Sequence, residues 1–389
     1  MKSSTRVIAL GLCAAAIFLS SLGTAAAAEP SWSVHESANA PESTGNVLRD
    51  VACPGYHPGT GALYACIGVG NSTTASGSKP LIVLGEKTAW GLWPGLPSYT
   101  EYPGAVLEAI SCVTEEFCQA VGYYVPKAGT RRPLAMRLTG ESGFFVWKFD
   151  KPAIPGTDEF TELNGITCTS ATSCEAVGST KATSGATSSK TLTEHWNGST
   201  FVWSIKTSYS SAAGENALAD VACTSSTSCM AVGRTGTTTL GEVYNGTEWK
   251  QAGLAVLGSL EGVSCTAANA CTAVGQGSSK IIARRWNGSA WATQTTVIPS
   301  GATLSTGSDV HCLSATECVA VGHYDSEGAS HPLAERWNGT TWSMDSVPAP
   351  KGSTAGTLLG AYCITPTLCA AVGDATLSGV VKTLVEIYS

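Results

Sequence analysis

From about residue 45 onward the chain runs in short apolar–polar alternations broken by clusters of Gly, Ser, Thr, Asn and Pro, with no sustained 3.6-residue apolar period. That pattern predicts strands and turns rather than amphipathic helices. One phrase recurs. "LADVAC" and "LEGVSC" alternate up to a cysteine, and a second cysteine leads into Ala-Val-Gly. The full phrase reads "DVACTSSTSCMAVG", "GVSCTAANACTAVG", "GITCTSATSCEAVG", "AISCVTEEFCQAVG", "DVHCLSATECVAVG" and, slightly shortened, "AYCITPTLCAAVG". The flanking apolar runs read as neighbouring strands. The five residues between the cysteines, rich in Ser, Thr and Ala, read as a hairpin loop.

A second phrase follows in most units: "LTEHWNGSTFVWS" (192–204), "LGEVYNGTEWK" (240–250), "IARRWNGSAWA" (282–292) and "LAERWNGTTWS" (333–343). Asn-Gly between aromatic-bearing runs predicts a second hairpin, because both residues tolerate positive φ. Each unit thus supplies four strands. The first cysteines stand at 53, 112, 168, 223, 265, 312 and 363, at intervals of 59, 56, 55, 42, 47 and 51. A period of this length built from short strands points to propeller blades. The last unit stops at "TLVEIYS" (383–389), its third strand, while "SWSV" near the other end resembles the missing fourth strand, as in "TWSMDS". Trp32 to Val34 is therefore expected to pair with Leu384 to Tyr388 and close the ring. The predicted fold is all-β, a seven-bladed β-propeller of four-stranded antiparallel blades whose last blade is completed by the N-terminal strand.

Cysteine usage changes the picture from masonry alone to masonry outside the cytoplasm. Of 15 cysteines, 14 fall into neighbouring pairs: Cys53 and Cys66, Cys112 and Cys118, Cys168 and Cys174, Cys223 and Cys229, Cys265 and Cys271, Cys312 and Cys318, and Cys363 and Cys369. Zinc calls for four ligands, commonly as C-x2-C pairs or nearby histidines, and no repeated histidine accompanies the pairs. Seven copies also argue against a redox motif. Structural disulfides stapling the first hairpin of each unit are expected. The unpaired Cys13 lies in an apolar stretch, Val7 to about Leu22, preceded by Lys2 and Arg6 and followed by "TAAAAEP". This is the pattern of a secretory signal peptide over residues 1–28, leaving one domain at 29–389. Leu12 before Cys13 disfavours lipid attachment there. Removing 1–28 takes the formal charge from −7 to −9. Such a surface, with no Lys/Arg cluster, excludes nucleic acid as the expected partner. No second stretch is long enough for a membrane span. A secreted monomer without cofactor or metal is the resulting expectation.

The mature chain resembles secreted bacterial β-propeller repeat proteins. Its second hairpin is also similar to the Asp-box hairpin of sialidase-type propellers: Gly339-Thr340-Thr341-Trp342 matches the end of that motif, and Gly246-Thr247-Glu248-Trp249 and Gly288-Ser289-Ala290-Trp291 match more loosely. Trp337, Tyr244 and Trp286 stand where the motif has its aspartate, so the resemblance implies the fold and carries over no active site.

Function is expected where the repeats disagree. The recurrent tryptophans read as packing between blades, and four of the five Asn-x-Ser/Thr matches are the Asn-Gly turn itself. The loops after Ala-Val-Gly vary widely, and variable loops on a rigid scaffold are the usual place for binding residues. Two of them hold the richest groups: Tyr123, Tyr124, Arg131 and Arg132, suited to a sugar or peptide, and His323, Tyr324, Asp325 and His331. Asp374 opens a third such loop. His, Asp and His within nine residues is a potential metal set, but an ordinary solvated loop is the plainer reading. The expected function is an extracellular binding or scaffold protein for a glycan or protein. The alternative is a secreted propeller enzyme, glycosidase- or lyase-like, acting on polysaccharide. No catalytic residue can be named, since Gly-x-Ser-x-Gly, His-Glu-x-x-His and F/Y-R-I-P segments are all missing.

Overall fold

In a computed structural model, the described residues are 29–389 apart from 58–61, 86–88, 128, 142–143, 157–159, 212–213 and 254. The signal-peptide reading concerns residues outside that set. Among the described residues there is no α-helix, and hence no helix long and apolar enough to cross a membrane.

Five units each form one four-stranded antiparallel sheet in simple sequence order. Unit 4 is representative: Asn216–Ser225, Ser228–Thr235, Thr238–Tyr244 and Trp249–Gln251. The remaining strands form an eight-stranded sheet with two antiparallel halves, joined by one parallel bridge between Gly45 and Val381. One half is unit 1. The other is unit 7, Ser353–Thr365, Leu368–Leu377 and Val380–Tyr388, with Trp32–His35 added as its outer strand. There Trp32 faces Tyr388 and Val34 faces Glu386. The first strand of every unit lies against the first strands of the units on either side, unit 7 against unit 1 included. The fold is an all-β propeller with about seven blades.

The burial pattern explains these elements. Second strands such as "SCMAVGRT" are buried along both faces through Ala-Val-Gly, because each sheet is covered on both sides by its neighbours. Apolar clusters accordingly lie between units: Ala109, Val121 and Ala135 of unit 2 pack with Leu163, Ile166, Trp196 and Trp203 of unit 3.

All seven cysteine pairs are bridged within their own units. The disulfides join Cys53 to Cys66, Cys112 to Cys118, Cys168 to Cys174 and Cys223 to Cys229. The remaining three join Cys265 to Cys271, Cys312 to Cys318 and Cys363 to Cys369. In units 2 to 7 the two cysteines face each other directly across the first hairpin, as Cys168 faces Cys174 and Cys265 faces Cys271. Unit 1 differs: Cys53 falls in a register shift between Ala52 and Gly55, so Cys66 has no directly opposed partner on that strand, although the bridge still forms. The longer segment between these two cysteines is what displaces the ladder. The Asn-Gly turns lie at the same end of the sheets as the disulfides, since Asn197 pairs with Ser173 beside that hairpin.

The Asn-Gly hairpins form, with turns longer than those two residues. Four residues, 245–248, separate the paired Tyr244 and Trp249, and only the glycine is left-handed (Gly246 φ 93°). Asn245 Oδ1 instead accepts the backbone N–H groups of Thr247 and Glu248, and Asn287 and Asn338 repeat this. The asparagine acts through its side chain, as an Asx turn.

Candidate functional site

Every first strand carries a bulge in the L-x-x-V phrase, where register is lost between Leu48 and Asp50, Leu107 and Ala109, and their equivalents. A bulge leaves one residue without a partner on the neighbouring strand and re-aims its side chain. The seven bulged residues, Arg49, Glu108, Asn164, Ala219, Glu261, Ser308 and Leu359, together line a central cavity of about 360 Å³. Arg131 and Glu162 complete its wall. One position, repeated seven times, thus supplies a cation, two carboxylates, an amide, a hydroxyl and two apolar groups.

The wall is held by paired charges. Arg49 Nη1 lies 3.3 Å from Glu108 Oε2, and its Nε donates to Asn71 Oδ1 at 3.2 Å. Arg131 pairs with Glu162 and stacks its guanidinium over Tyr123 at 4.0 Å and Phe160 at 4.6 Å. Burial raises Glu108 above the ordinary carboxylate range; Arg49 opposes the shift and Glu162 adds to it. Burial likewise raises the Tyr123 phenol. Glu261 is exposed to the cavity.

A smaller cavity of about 120 Å³ shares the seven bulged residues and is lined also by Asp50, Asp220 and Asp309. Each carboxylate clips two units together. Asp220 Oδ1 accepts Val221 N–H of its own strand at 2.7 Å, and Oδ2 accepts Val263 N–H of unit 5 at 2.8 Å. Asp50 joins Ile110 and Asp309 joins Ala361 in the same way. The unit before each aspartate has glycine at the matching place. A Cβ on Gly165, Gly262 or Gly360 would stand 2.6–2.7 Å from the Cα of Asp220, Asp309 or Asp50. Burial pushes Asp50 up to about 8, with Asp309 adding, and Asp309 to about 6. Because the obstructing atom is backbone, Gly262→Ala should destabilise the protein by about 2–3 kcal/mol in denaturant unfolding. A change below about 0.5 kcal/mol would contradict this close approach.

The sequence-derived candidates divide by strand parity. Tyr123 and Arg131 meet at the cavity wall. Tyr124 turns the other way, edge-on to Tyr102 at 5.1 Å and cross-paired with Arg132. In the second group, His323 and Asp325 point to one face while Tyr324 is cross-paired and stacked with His331, ring centroids 5.1 Å apart. Asp325 accepts the Ser330 hydroxyl at 2.6 Å. Alternation along the strand thus separates side chains that look clustered in sequence. Among the described residues, no three His, Cys, Asp or Glu side chains are grouped to hold a metal. Asp374 accepts the Thr357 hydroxyl at 2.8 Å, and burial raises its carboxyl, with Arg49 and His323 close enough to oppose the shift. The bulged residues Arg49, Glu108 and Glu261, and with them Glu162, escape a reading built on loops. A signal for the bulge exists: Leu48 and Val51 pack in the same apolar cluster although three residues apart, which a period of two forbids.

Protein-family models and curated proteins give no match to the chain. Solved structures do. The U3-55K structure superposes with a TM-score of 0.55 at 10% identity, covering 93% of this chain and 100% of that one. "YCF48 bound to D1 peptide" gives 0.53 at 13%, covering 93% and 98%, and YCF48 from Cyanidioschyzon merolae gives 0.53 at 12%, covering 92% and 98%. The chain is similar to β-propeller proteins. At these identities the likeness concerns fold alone.

Proposed function

We infer that this chain is an exported binding protein whose seven-bladed ring, closed by its N-terminal strand, presents the central cavity and the surrounding loop face to a protein or glycan partner. The observation that carries the reading is the bulged ring: one structural position, in seven chemical versions, around a cavity large enough for a peptide side chain or a sugar. Scaffold positions repeat their residues, whereas this one does not. The seven disulfides and the signal-like segment at 1–28 favour an oxidising compartment, in keeping with a secreted bacterial protein.

Arrays of glycans and of envelope or matrix proteins, probed with the mature chain, test the reading. A ligand of this site should lose about tenfold or more in affinity with Arg131→Ala or Glu261→Gln, and Glu261→Gln, whose side chain is exposed, should do so at unchanged melting temperature. Ligands insensitive to both variants would place binding elsewhere.

A second reading rests on one observation. Glu108 and Glu162 share the cavity, and burial raises Glu108 above the ordinary carboxylate range. Glycoside hydrolysis uses two carboxyl groups in one cleft, one of them raised. Polysaccharide hydrolysis that disappears in both Glu108→Gln and Glu162→Gln would establish it. No turnover across a polysaccharide panel would remove it.

A further inference from the structure

A second cavity, larger than the central one, lies among the described residues. A cleft of about 430 Å³ opens in unit 1, between the segment Ala40–Glu42, the hairpin that carries Ser72, Thr74 and Lys79, and the connector leading to unit 2. That connector, residues 93–105, is the longest between units and holds Trp93, Leu96, Tyr99 and Tyr102, in "WPGLPSYTEYPG". No other connector is so aromatic.

We propose that this cleft is a separate saccharide site, with Trp93 and Tyr99 as its apolar face and Lys79 and Glu42 as its polar jaws. A pyranose ring has an apolar C–H face and a rim of hydroxyls that both donate and accept. The cleft offers a complement to each part. Trp93 is half-buried and anchored edge-on to Trp147 at 6.0 Å, so one face of the floor is already fixed. Tyr99 is half-buried beside it, with the Lys79 ammonium 5.9 Å from its ring centroid. Lys79 makes no ion pair among the described residues, although it is half-buried. Glu42, which also lines the cleft, is exposed, and its backbone is left-handed (φ 59°), a conformation that non-glycine residues adopt rarely. A carboxylate accepts from a hydroxyl and an ammonium donates to one, so opposite charges across an aromatic floor suit a neutral polyol better than an ion. Ser72, which is buried, and Thr74, whose hydroxyl donates to Gly77 O at 3.0 Å, also line the cleft. The volume falls within the range of small-ligand pockets.

The site is independent of the central cavity, and its test keeps the two apart. Methyl glycosides of common hexoses and N-acetylhexosamines are titrated into the mature chain up to about 10 mM and followed by saturation-transfer NMR. At least one should bind, with transfer strongest to the ring protons of one sugar face. Tyr99→Ala and Lys79→Ala should each weaken it about tenfold. Arg131→Ala, in the central cavity, should leave it unchanged. Because Trp93 also packs inward, the two surface variants rather than Trp93→Ala carry the test, with melting temperature as the folding control. No transfer from any glycoside overturns the proposal. So does binding that survives Tyr99→Ala and Lys79→Ala, or that falls with Arg131→Ala instead.

Discussion

Deleting residues 29–36 should lower the melting temperature by more than about 10 °C while leaving all seven disulfides intact. The deleted strand is the outer edge of unit 7, and its removal uncovers the Val380–Tyr388 backbone along Val385–Tyr388. It also removes Trp32, which is only 4% exposed. The Trp32 indole N–H donates to Asp345 of unit 6 at 2.9 Å, and Asp345 also holds Arg336 at 2.6 Å. The Arg336 guanidinium lies 3.5 Å from the Tyr388 ring centroid. The same device recurs elsewhere, with Lys206 of unit 3 over Tyr244 of unit 4 at 4.5 Å. At the closure, however, it depends on a strand from the far end of the chain. Trp32→Ala alone should destabilise by about 3–5 kcal/mol. Differential scanning calorimetry under oxidising conditions decides the matter; a deletion variant melting within about 3 °C of the parent would show that the ring does not rely on this strand.

Stability should be greatest near pH 5 and decline toward pH 8.5, with a loss of at least about 5 °C in melting temperature. The third strands of four units bury glutamates with no solvent exposure: Glu194, Glu242, Glu335 and Glu386. Burial pushes Glu194 and Glu386 up to about 8, and Glu242 and Glu335 to about 7. Between about pH 4.5 and 8 the folded chain therefore holds protons that the unfolded chain has released. Raising pH through that window removes stability, and the loss is complete above it. His311 acts in the opposite sense. Its Nδ1 accepts the Cys363 N–H at 3.3 Å, and burial lowers it to about 4, so it opposes acidification between about pH 6.5 and 4.

Glu386 contributes to the alkaline limb without the backbone donor that its equivalents have. Ala153, Tyr209 and Val297 each donate a backbone N–H to the glutamate of the next unit, and each lies six residues beyond the tryptophan of its fourth strand. Six residues beyond Trp342 stands Pro348, which has no N–H. Both Glu386 carboxyl oxygens are left buried without a partner. Glu386→Gln should raise the melting temperature at pH 8.5 and change it little at pH 5. An equal shift at both values would show that charge is not the cause.

Much of this architecture was legible in sequence because it rests on local chemistry repeated seven times. Cysteines flanking a short loop, Asn-Gly beside aromatics, and complementary ends at Trp32 and Tyr388 each speak through a few adjacent residues. The central cavity was not legible in the same way. Arg49, Glu108 and Glu261 look like ordinary variable positions until the bulge is placed, and the bulge shows itself only in the spacing of Leu48 and Val51. The pair Arg131 and Glu162 depends on contact between units 2 and 3, which no local pattern reports. The cleft of unit 1 draws on three separate segments, and its connector repeats nothing.

The aspartate–glycine contacts around the axis have an arithmetic of their own. Gly165 with Asp220, Gly262 with Asp309 and Gly360 with Asp50 are three couples, and they use six of seven places. An odd circle cannot be tiled by couples, so Ala109 of unit 2 is the singleton. Losing one repeat anywhere else splits a couple, and loss of unit 3, 5 or 7 leaves an aspartate without its glycine. A six-membered version keeps all three couples only when unit 2 is excised.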